Sequence, residues 1–149
     1  MADIVSADVR SRMMSGVRAK NTRPELLVRS GLHRRGHRFV LHDKRLPGAP
    51  DIVFPKHRAV ILVHGCFWHG HECGLFKWPK TRVDFWRAKI ETNQVRDATT
   101  HLKLLASGWR VGAVWECALK SNDTGKLNSV LDKCHEWLLS SDPELEVIG

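Results

Sequence analysis

Residues 50–73, PDIVFPKHRAVILVHGCFWHGHEC, constrain the fold of this chain most strongly. They contain two short apolar runs, at 51–54 and 59–63, and four residues connect them. Such runs predict buried strands, and so short a connection predicts an antiparallel pair. The second strand leads into ten residues that contain three His, two Cys and two aromatic residues. Because turn residues normally follow a buried strand, this cluster of metal-binding side chains indicates a functional site.

The remaining patterns predict one α/β domain over residues 22–149, with a mixed central sheet flanked by helices. Thr22, Pro24 and Glu25 carry the start signal of a helix that ends at Gly36. Further elements are a half-buried strand at 38–42, a long helix at 82–107, a strand at 109–115 and a closing helix at 127–139. The expected inward face of the long helix consists of Val83, Trp86, Ile90, Ala98, Leu102 and Leu105.

The charge of the chain favours a polyanionic partner. Lys and Arg number 24 against 16 Asp and Glu, which gives a formal net charge of +8. Basic side chains that neutralise phosphates release counterions and gain affinity, although basic proteins can also bind nothing specific. Residues 1–21 hold Arg10, Arg12, Arg18 and Lys20 around Met13 and Met14. They predict a basic arm that lies along a DNA groove, the alternative being a frayed terminus.

The sequence contains no pattern of a membrane or exported protein. No segment reaches the roughly 18 apolar residues of a membrane span, and the N-terminus lacks a signal-peptide core. We therefore expect a cytosolic protein without a membrane partner. In a reducing compartment its four Cys are free thiols or metal ligands rather than disulfides.

A structural zinc site is one interpretation of the cysteines. Cys66, His71 and Cys73 have the spacing C-x4-H-x-C, and Cys117 follows the strand predicted at 109–115. If that strand returns to the same sheet edge, the four residues form a closed Cys3His shell for Zn2+. The alternative is a set of unrelated buried thiols. Cys134 lies on an apolar helical face and is expected in the core.

A catalytic site is the second interpretation of the central segment. Asp51 offers a hard oxygen ligand for Mg2+, and His64 or His69 can remove a proton from an attacking water. Taken singly, an Asp after Pro is usually a turn residue and a lone His is usually structural. Phe67 and Trp68 lie among these ligands, where exposed rings can wedge between bases. Trp86 fits either the same role or the core.

Five segments resemble the Vsr family of very short patch repair endonucleases: TRPE at 22–25, LHDKRLPGAPDIVFP at 41–55, VHGCFWHGHEC at 63–73, FWRAKI at 85–90 and GWRVGAVWEC at 108–117. The resemblance implies a restriction-endonuclease-like fold. It also implies a bacterial cytoplasmic enzyme that nicks DNA on the 5′ side of the T in a G:T mismatch, the product of 5-methylcytosine deamination. The expected partners are mismatched double-stranded DNA and a MutL-type mismatch-repair protein, and the enzyme is expected to be a monomer.

Site roles follow from the resemblance, position by position. Asp51 and the backbone carbonyl of Val63 would bind Mg2+, His69 would be the general base, and Asp97 would orient it. Glu25 and His64 would hold waters around the metal or the phosphate, although a capping role alone also explains Glu25. Cys66, His71, Cys73 and Cys117 would bind structural Zn2+. DNA would be contacted by Phe67, Trp68 and Trp86 beside the mismatch and by the arm, including Met14, in the minor groove.

The chain departs from family and fold patterns at three points. Val63 stands where the family often has Thr, which keeps a carbonyl ligand but no hydroxyl. Gly70 stands where some relatives have His, so we assign that position no role. Restriction-type nucleases usually carry (D/E)-x-K on the second strand, and here the strand end reads Val63-His64-Gly65. Two alternatives stay open, a restriction-type nuclease that cuts matched duplex and a zinc-stabilised DNA-binding module without catalysis.

Overall fold

The computed structural model describes residues 22–71, 73, 77–120 and 123–148. Residues 1–21, with the expected basic arm and Met14, lie outside these ranges. Within them the order of elements is α1 (Arg23–Arg34), β1 (Val40–Leu41), β2 (Ile52–Phe54), β3 (Ala59–His64), α2 (Val83–Ala106), β4 (Arg110–Trp115), α3 (Thr124–Leu139) and β5 (Glu144–Val147). Short 3-10 turns at Pro55–His57 and Glu116–Leu119 follow β2 and β4.

The five strands form one mixed sheet in the order β1-β2-β3-β4-β5. The strands β1, β2 and β3 are antiparallel, as expected from the short connection after β2. The strands β3, β4 and β5 are parallel. Parallel neighbours end at the same sheet edge, and an antiparallel neighbour begins there. The carboxyl ends of β3 and β4 and the start of β2 therefore meet at one place.

Side chains of β3 alternate between two apolar layers. Ala59 and Ile61 belong to a core cluster that they share with α1 and α3, whereas Val60 and Leu62 belong to a second cluster with Leu104 of α2. The helices α1 and α3 thus cover one face of the sheet, and α2 covers the other. Continued alternation places His64 on the α2 face.

Most predicted elements are confirmed, and the end signals of α1 act as expected. The Thr22 hydroxyl accepts a hydrogen bond from the Glu25 amide at 3.4 Å, and Gly36 has φ of +90° after the helix. The strand predicted at 38–42 is shorter, and both of its residues, Val40 and Leu41, are exposed. The closing helix begins earlier than predicted because the Asp123 side chain caps it by accepting from the Gly125 amide.

The predicted inward face of α2 is wrong in its second half. Ala98 and Leu102 are exposed, and Asn93, Asp97 and Leu104 lie on the inward side instead. These residues continue the three- and four-residue steps from Ile90, but two of them are polar. Apolar periodicity does not mark polar residues that point inward. On α2 these polar residues face the candidate active site.

No described helix has both the length and the apolar character needed to cross a membrane.

Three His side chains meet on the α1–α3 face of the sheet. His37 is buried, and its Nε2 lies 2.8 Å from Nδ1 of His135, with the ring of His57 5.7 Å away. Burial lowers the pKa of His37, and the neighbouring His135, His57 and Lys56 lower it further. His37 is therefore neutral in the folded protein at neutral pH.

Acidification is expected to weaken the fold through His37. A His with a lowered folded-state pKa contributes stability above its ordinary pKa and loses it as the pH falls. The variant His37→Leu should therefore lose less free energy of unfolding than the parent between pH 7.5 and pH 5. Urea unfolding at both pH values measures this difference, with His33→Leu as an exposed control. Equal pH dependence in His37→Leu and the parent would contradict the expectation.

Candidate active site and metal centre

Asp51 lies where the sheet topology brings β2 and β3 together. The amide of Val63 donates a hydrogen bond of 2.8 Å to Oδ2 of Asp51. Burial raises the pKa of Asp51 to about 6, and the negative charge of Glu25 adds to the effect. Such a carboxylate gains from a bound cation, which relieves both penalties. The N–H and C=O of one strand residue point to the same side, so the carbonyl of Val63 is also directed to the β2 side of β3.

Glu25 projects from the first turn of α1 into the same place. Its carboxylate is 2% exposed, and it contacts Nη1 of Arg29 at 2.8 Å and Nε2 of His42 at 3.0 Å. These two partners compensate the charge of the buried carboxylate, which would otherwise be costly to remove from water. Sequence reasoning missed His42, because nothing in its spacing connects it with Glu25 or Asp51.

His69 lies in the turn after β3 and is oriented by α2. Its Nδ1 pairs with Oδ2 of Asp97. A carboxylate only accepts hydrogen bonds, so Nδ1 carries the proton and Nε2 of the neutral ring keeps its lone pair. The ring of His64 is 4.3 Å from that of His69. Removal from water lowers the pKa of His64 to about 4, and the adjacent His69 acts in the same direction.

Polar residues of α2 hold the turn that carries His69. Asn93 Nδ2 donates to the carbonyl of Trp68 at 2.8 Å, and Gln94 Nε2 donates to the carbonyl of His69 at 3.2 Å. Gly70 completes the turn with φ of +62°, and a Cβ there would lie 2.6 Å from Ile90. A His at this position would strain the backbone and clash with α2. The structure thus supplies a reason for the glycine that the sequence alone did not.

Three half-buried aromatic rings lie beside this turn. The ring centroids of Phe67, Trp68 and Trp86 are 5.2, 5.5 and 5.7 Å apart, so each ring contacts the other two. Mutual packing holds the rings in a fixed arrangement while part of each stays in contact with water. Trp86 therefore belongs to this cluster rather than to the core.

Cys66, His71, Cys73 and Cys117 meet at the neighbouring strand ends. Their ligand atoms all lie within 4.8 Å of one another, and Sγ of Cys117 is 3.7 Å from Nδ1 of His71. A tetrahedral Zn2+ with bonds of about 2.3 Å to sulfur and 2.0–2.1 Å to nitrogen would space these two atoms by about 3.6 Å. Pairing of His64 with Trp115 in the β3–β4 register brings Cys117 to this edge, as the spacing argument required.

The surroundings of the four residues also suit a metal. Burial raises the pKa of Cys66 to about 12, and the neighbouring thiols contribute. A cation would reverse that effect by stabilising thiolates. The ring of His71 stacks on Trp115 at 4.2 Å and 17°, and the amide of Cys66 donates to Oε1 of Glu116 at 3.2 Å. Cys134 is buried away from this group, in the core cluster, as expected.

A cleft of about 580 Å³ connects the carboxylate and histidine groups. Its walls include Glu25, Asp51, His64, His69 and Asp97, with Phe67 and Trp68 at one side. An open cleft that combines carboxylates, an oriented imidazole and half-buried aromatic rings can bind a phosphodiester beside a metal and activate a water. Among the described residues, the cleft is lined by every residue predicted from the sequence as catalytic or magnesium-binding, and Trp86 contacts the cleft residues Phe67 and Trp68.

Comparison with known proteins gives consistent matches over most of the chain. A family model described as DNA mismatch endonuclease Vsr matches residues 2–75. A type II nicking enzyme of Xanthomonas oryzae pv. oryzae is 53% identical over 131 residues, which cover 88% of this chain and 95% of the relative. The DNA mismatch endonuclease Vsr of Escherichia coli is 38% identical over 147 residues, covering 99% and 94%. A type II nicking enzyme of Neisseria meningitidis is 44% identical over 121 residues, covering 81% and 86%.

Proposed function

Because this chain belongs to the Vsr family and is thereby a DNA endonuclease, we propose that it nicks one strand on the 5′ side of the T in a G:T mismatch. The reaction is a Mg2+-dependent hydrolysis of a phosphodiester, and it starts very short patch repair after deamination of 5-methylcytosine. The observation that carries the proposal is the cleft in which Asp51, Glu25 and the His69–Asp97 pair converge. The sheet with helices on both faces supports a restriction-endonuclease-like fold.

The residues of the cleft divide the chemistry between them. Asp51 and the carbonyl of Val63 would hold the divalent metal, with Glu25 and His64 around it. The metal, when bound, supplies positive charge that stabilises the phosphate oxygens in the transition state. Nε2 of His69 accepts the proton of the attacking water, and Asp97 keeps that nitrogen unprotonated and stabilises the imidazolium that forms. Because the site lacks the lysine of other restriction-type nucleases, the proton has to pass to His69.

The aromatic cluster of Phe67, Trp68 and Trp86 supplies selectivity in this proposal. Rings that are held together and partly exposed can enter the stack beside a base pair. A wobble pair costs less to unstack than a matched pair, so insertion favours a mismatch. The basic arm at 1–21, including Met14, would lie in the minor groove. A MutL-type protein is the proposed repair partner, and the enzyme acts as a monomer in the bacterial cytoplasm.

A nicking assay tests the function directly. Two duplexes that differ only in G:T or G:C at one position are incubated with the protein and Mg2+, across a library of flanking sequences. We expect a single nick 5′ of the T, with a 5′-phosphate, in the mismatched duplex alone. Equal cutting of matched duplex would make the protein a restriction-type nuclease. Mismatch binding without any nick would leave a DNA-binding module.

We propose that the Cys66–His71–Cys73–Cys117 group binds one structural Zn2+, and its loss gives a prediction. The variant Cys66→Ser is expected to lose the metal and on the order of 4 kcal/mol of unfolding free energy, because a metal site of this kind stabilises only the folded chain. Elemental analysis of zinc per chain and urea unfolding measure the two effects. Cys134→Ser, a buried thiol outside the group, should keep its zinc. A full equivalent of zinc in Cys66→Ser would refute the assignment.

A further inference from the structure

One imidazole that contacts a residue of the catalytic cleft has no role in the mechanism above. His42 lies against Glu25 and Asp51, and the ligand atoms of the three residues are all within 4.8 Å of one another. Nε2 of His42 is 3.0 Å from Oε1 and 2.9 Å from Oε2 of Glu25. The side chain of His42 is 12% exposed and that of Glu25 is 2% exposed. Two carboxylates and one imidazole thus meet at one place, where Nη1 of Arg29 also pairs with Oε2 of Glu25 at 2.8 Å.

The backbone of His42 is held in an unusual conformation to reach this place. Its φ is +49°, in the left-handed region that residues other than Gly adopt rarely. Its amide donates to the carbonyl of Asp51 at 3.1 Å, which joins the residue to the start of β2. Backbone strain persists where the surroundings enforce it, and it is concentrated at functional sites. The backbone amide of His42 thus contacts Asp51, and its side chain contacts Glu25.

The distances between the ligand atoms of Glu25, His42 and Asp51 are compatible with the coordination shell of a six-coordinate ion. With bonds of about 2.1 Å, neighbouring ligand atoms of an octahedron are about 3.0 Å apart and opposite ones about 4.2 Å apart. The His42–Glu25 separations, which are hydrogen-bond distances in the absence of an ion, are close to the shorter spacing. The ligand atom of Asp51 lies within 4.8 Å of the other two, a limit that includes the longer spacing.

We propose that Glu25, His42 and Asp51 form a divalent-cation site in which Nε2 of His42 is a direct ligand, and that the site prefers first-row transition ions such as Mn2+ to Mg2+. An imidazole nitrogen suits transition ions, whereas Mg2+ prefers oxygen ligands and keeps its waters. The inference deepens the proposed function, since it names the metal preference of the same cleft. It does not depend on the DNA substrate, because the three ligands belong to the free protein.

Metal binding without DNA tests the inference. The full chain is titrated with Mn2+ and followed by electron paramagnetic resonance, and Mg2+ affinity is measured by competition. We expect nitrogen-14 coupling from an imidazole in the spin-echo modulation of bound Mn2+. In His42→Gln this coupling should disappear, and the preference for Mn2+ over Mg2+ should fall about tenfold. His33→Gln, which changes an exposed His on α1, should keep both.

The metal-binding results decide whether His42 is a ligand, whatever the nicking assay shows. Absence of nitrogen coupling in the parent protein would overturn the inference without any variant, so a folding defect in His42→Gln cannot hide the answer. Nitrogen coupling that persists in His42→Gln would also overturn the inference, because His64 or His69 would then be the ligand. An unchanged preference for Mn2+ over Mg2+ in this variant would overturn it too, because the oxygen ligands alone would then set that preference. A protein that binds Mn2+ through His42 but fails to nick G:T duplex would disprove the proposed function and leave this inference standing.

Discussion

Replacing His69 with Ala is expected to lower the nicking rate about 10³-fold while mismatch binding stays unchanged. General acid–base catalysis by one positioned side chain contributes 10²–10⁴ in rate, and no lysine stands at the strand end to replace it. The imidazole is held by Asp97 through Nδ1, so its other nitrogen is ready to accept a proton. Removing the ring removes this acceptor, but the aromatic cluster and the basic residues that we propose to bind DNA stay.

Single-turnover nicking and a gel-shift titration on the same G:T duplex separate the two effects. Asp97→Asn should also slow nicking, by about 10²-fold or more, because an amide can turn its NH2 group to Nδ1 and select the wrong tautomer. His101→Ala is the matched control, since His101 lies on the same helix and pairs with Glu144 instead. Near-normal nicking by His69→Ala would remove His69 from the mechanism and leave the metal environment to activate the water.

The place of the central site was predictable from the sequence because its central residues follow or precede predicted strands. Two apolar runs predicted β2 and β3, and a short connection predicted their antiparallel pairing, which together place Asp51 beside the carboxyl end of β3. The return of Cys117 to the same edge needed one further step, the parallel pairing of β4 with β3. The local sequence was sufficient to predict these strands, because buried strands consist of continuous apolar runs.

The parts that sequence reasoning missed depend on tertiary contacts. The strand β5 is a short edge strand with Glu144 and Glu146 on its exposed positions, so it carries no apolar run. Charged residues on an edge strand also discourage further pairing, which fits its composition. Asn93 and His42 act through folded-state partners that are 25 and 17 residues away in sequence. No local pattern marks such residues before the fold is known.

Replacing Asp51 with Asn is expected to abolish nicking and to stabilise the protein when no divalent metal is added. The amide keeps the shape of the carboxylate, but it loses the charge that binds the cation, so we expect the nicking rate to fall about 10⁴-fold. DNA binding should not weaken, because the change removes a negative charge beside a phosphate. Titration of the nicking rate with Mg2+ and a gel shift measure these two effects. A nicking rate within tenfold of the parent would exclude Asp51 as a metal ligand.

The gain in stability follows from the pKa of Asp51. A carboxyl whose folded-state pKa is raised from 3.8 to about 6 destabilises the fold wherever it is ionised, by up to about 3 kcal/mol above pH 6. Asp51→Asn should therefore be more stable than the parent at pH 8, and the difference should shrink as the pH falls from 6 toward 4. Added Mg2+ should stabilise the parent and not the variant, since only the parent binds it. Equal unfolding curves for both proteins at pH 8 would show that the ionised Asp51 carboxylate does not lower the free energy of unfolding. A bound cation would then have no such destabilisation to offset at this site.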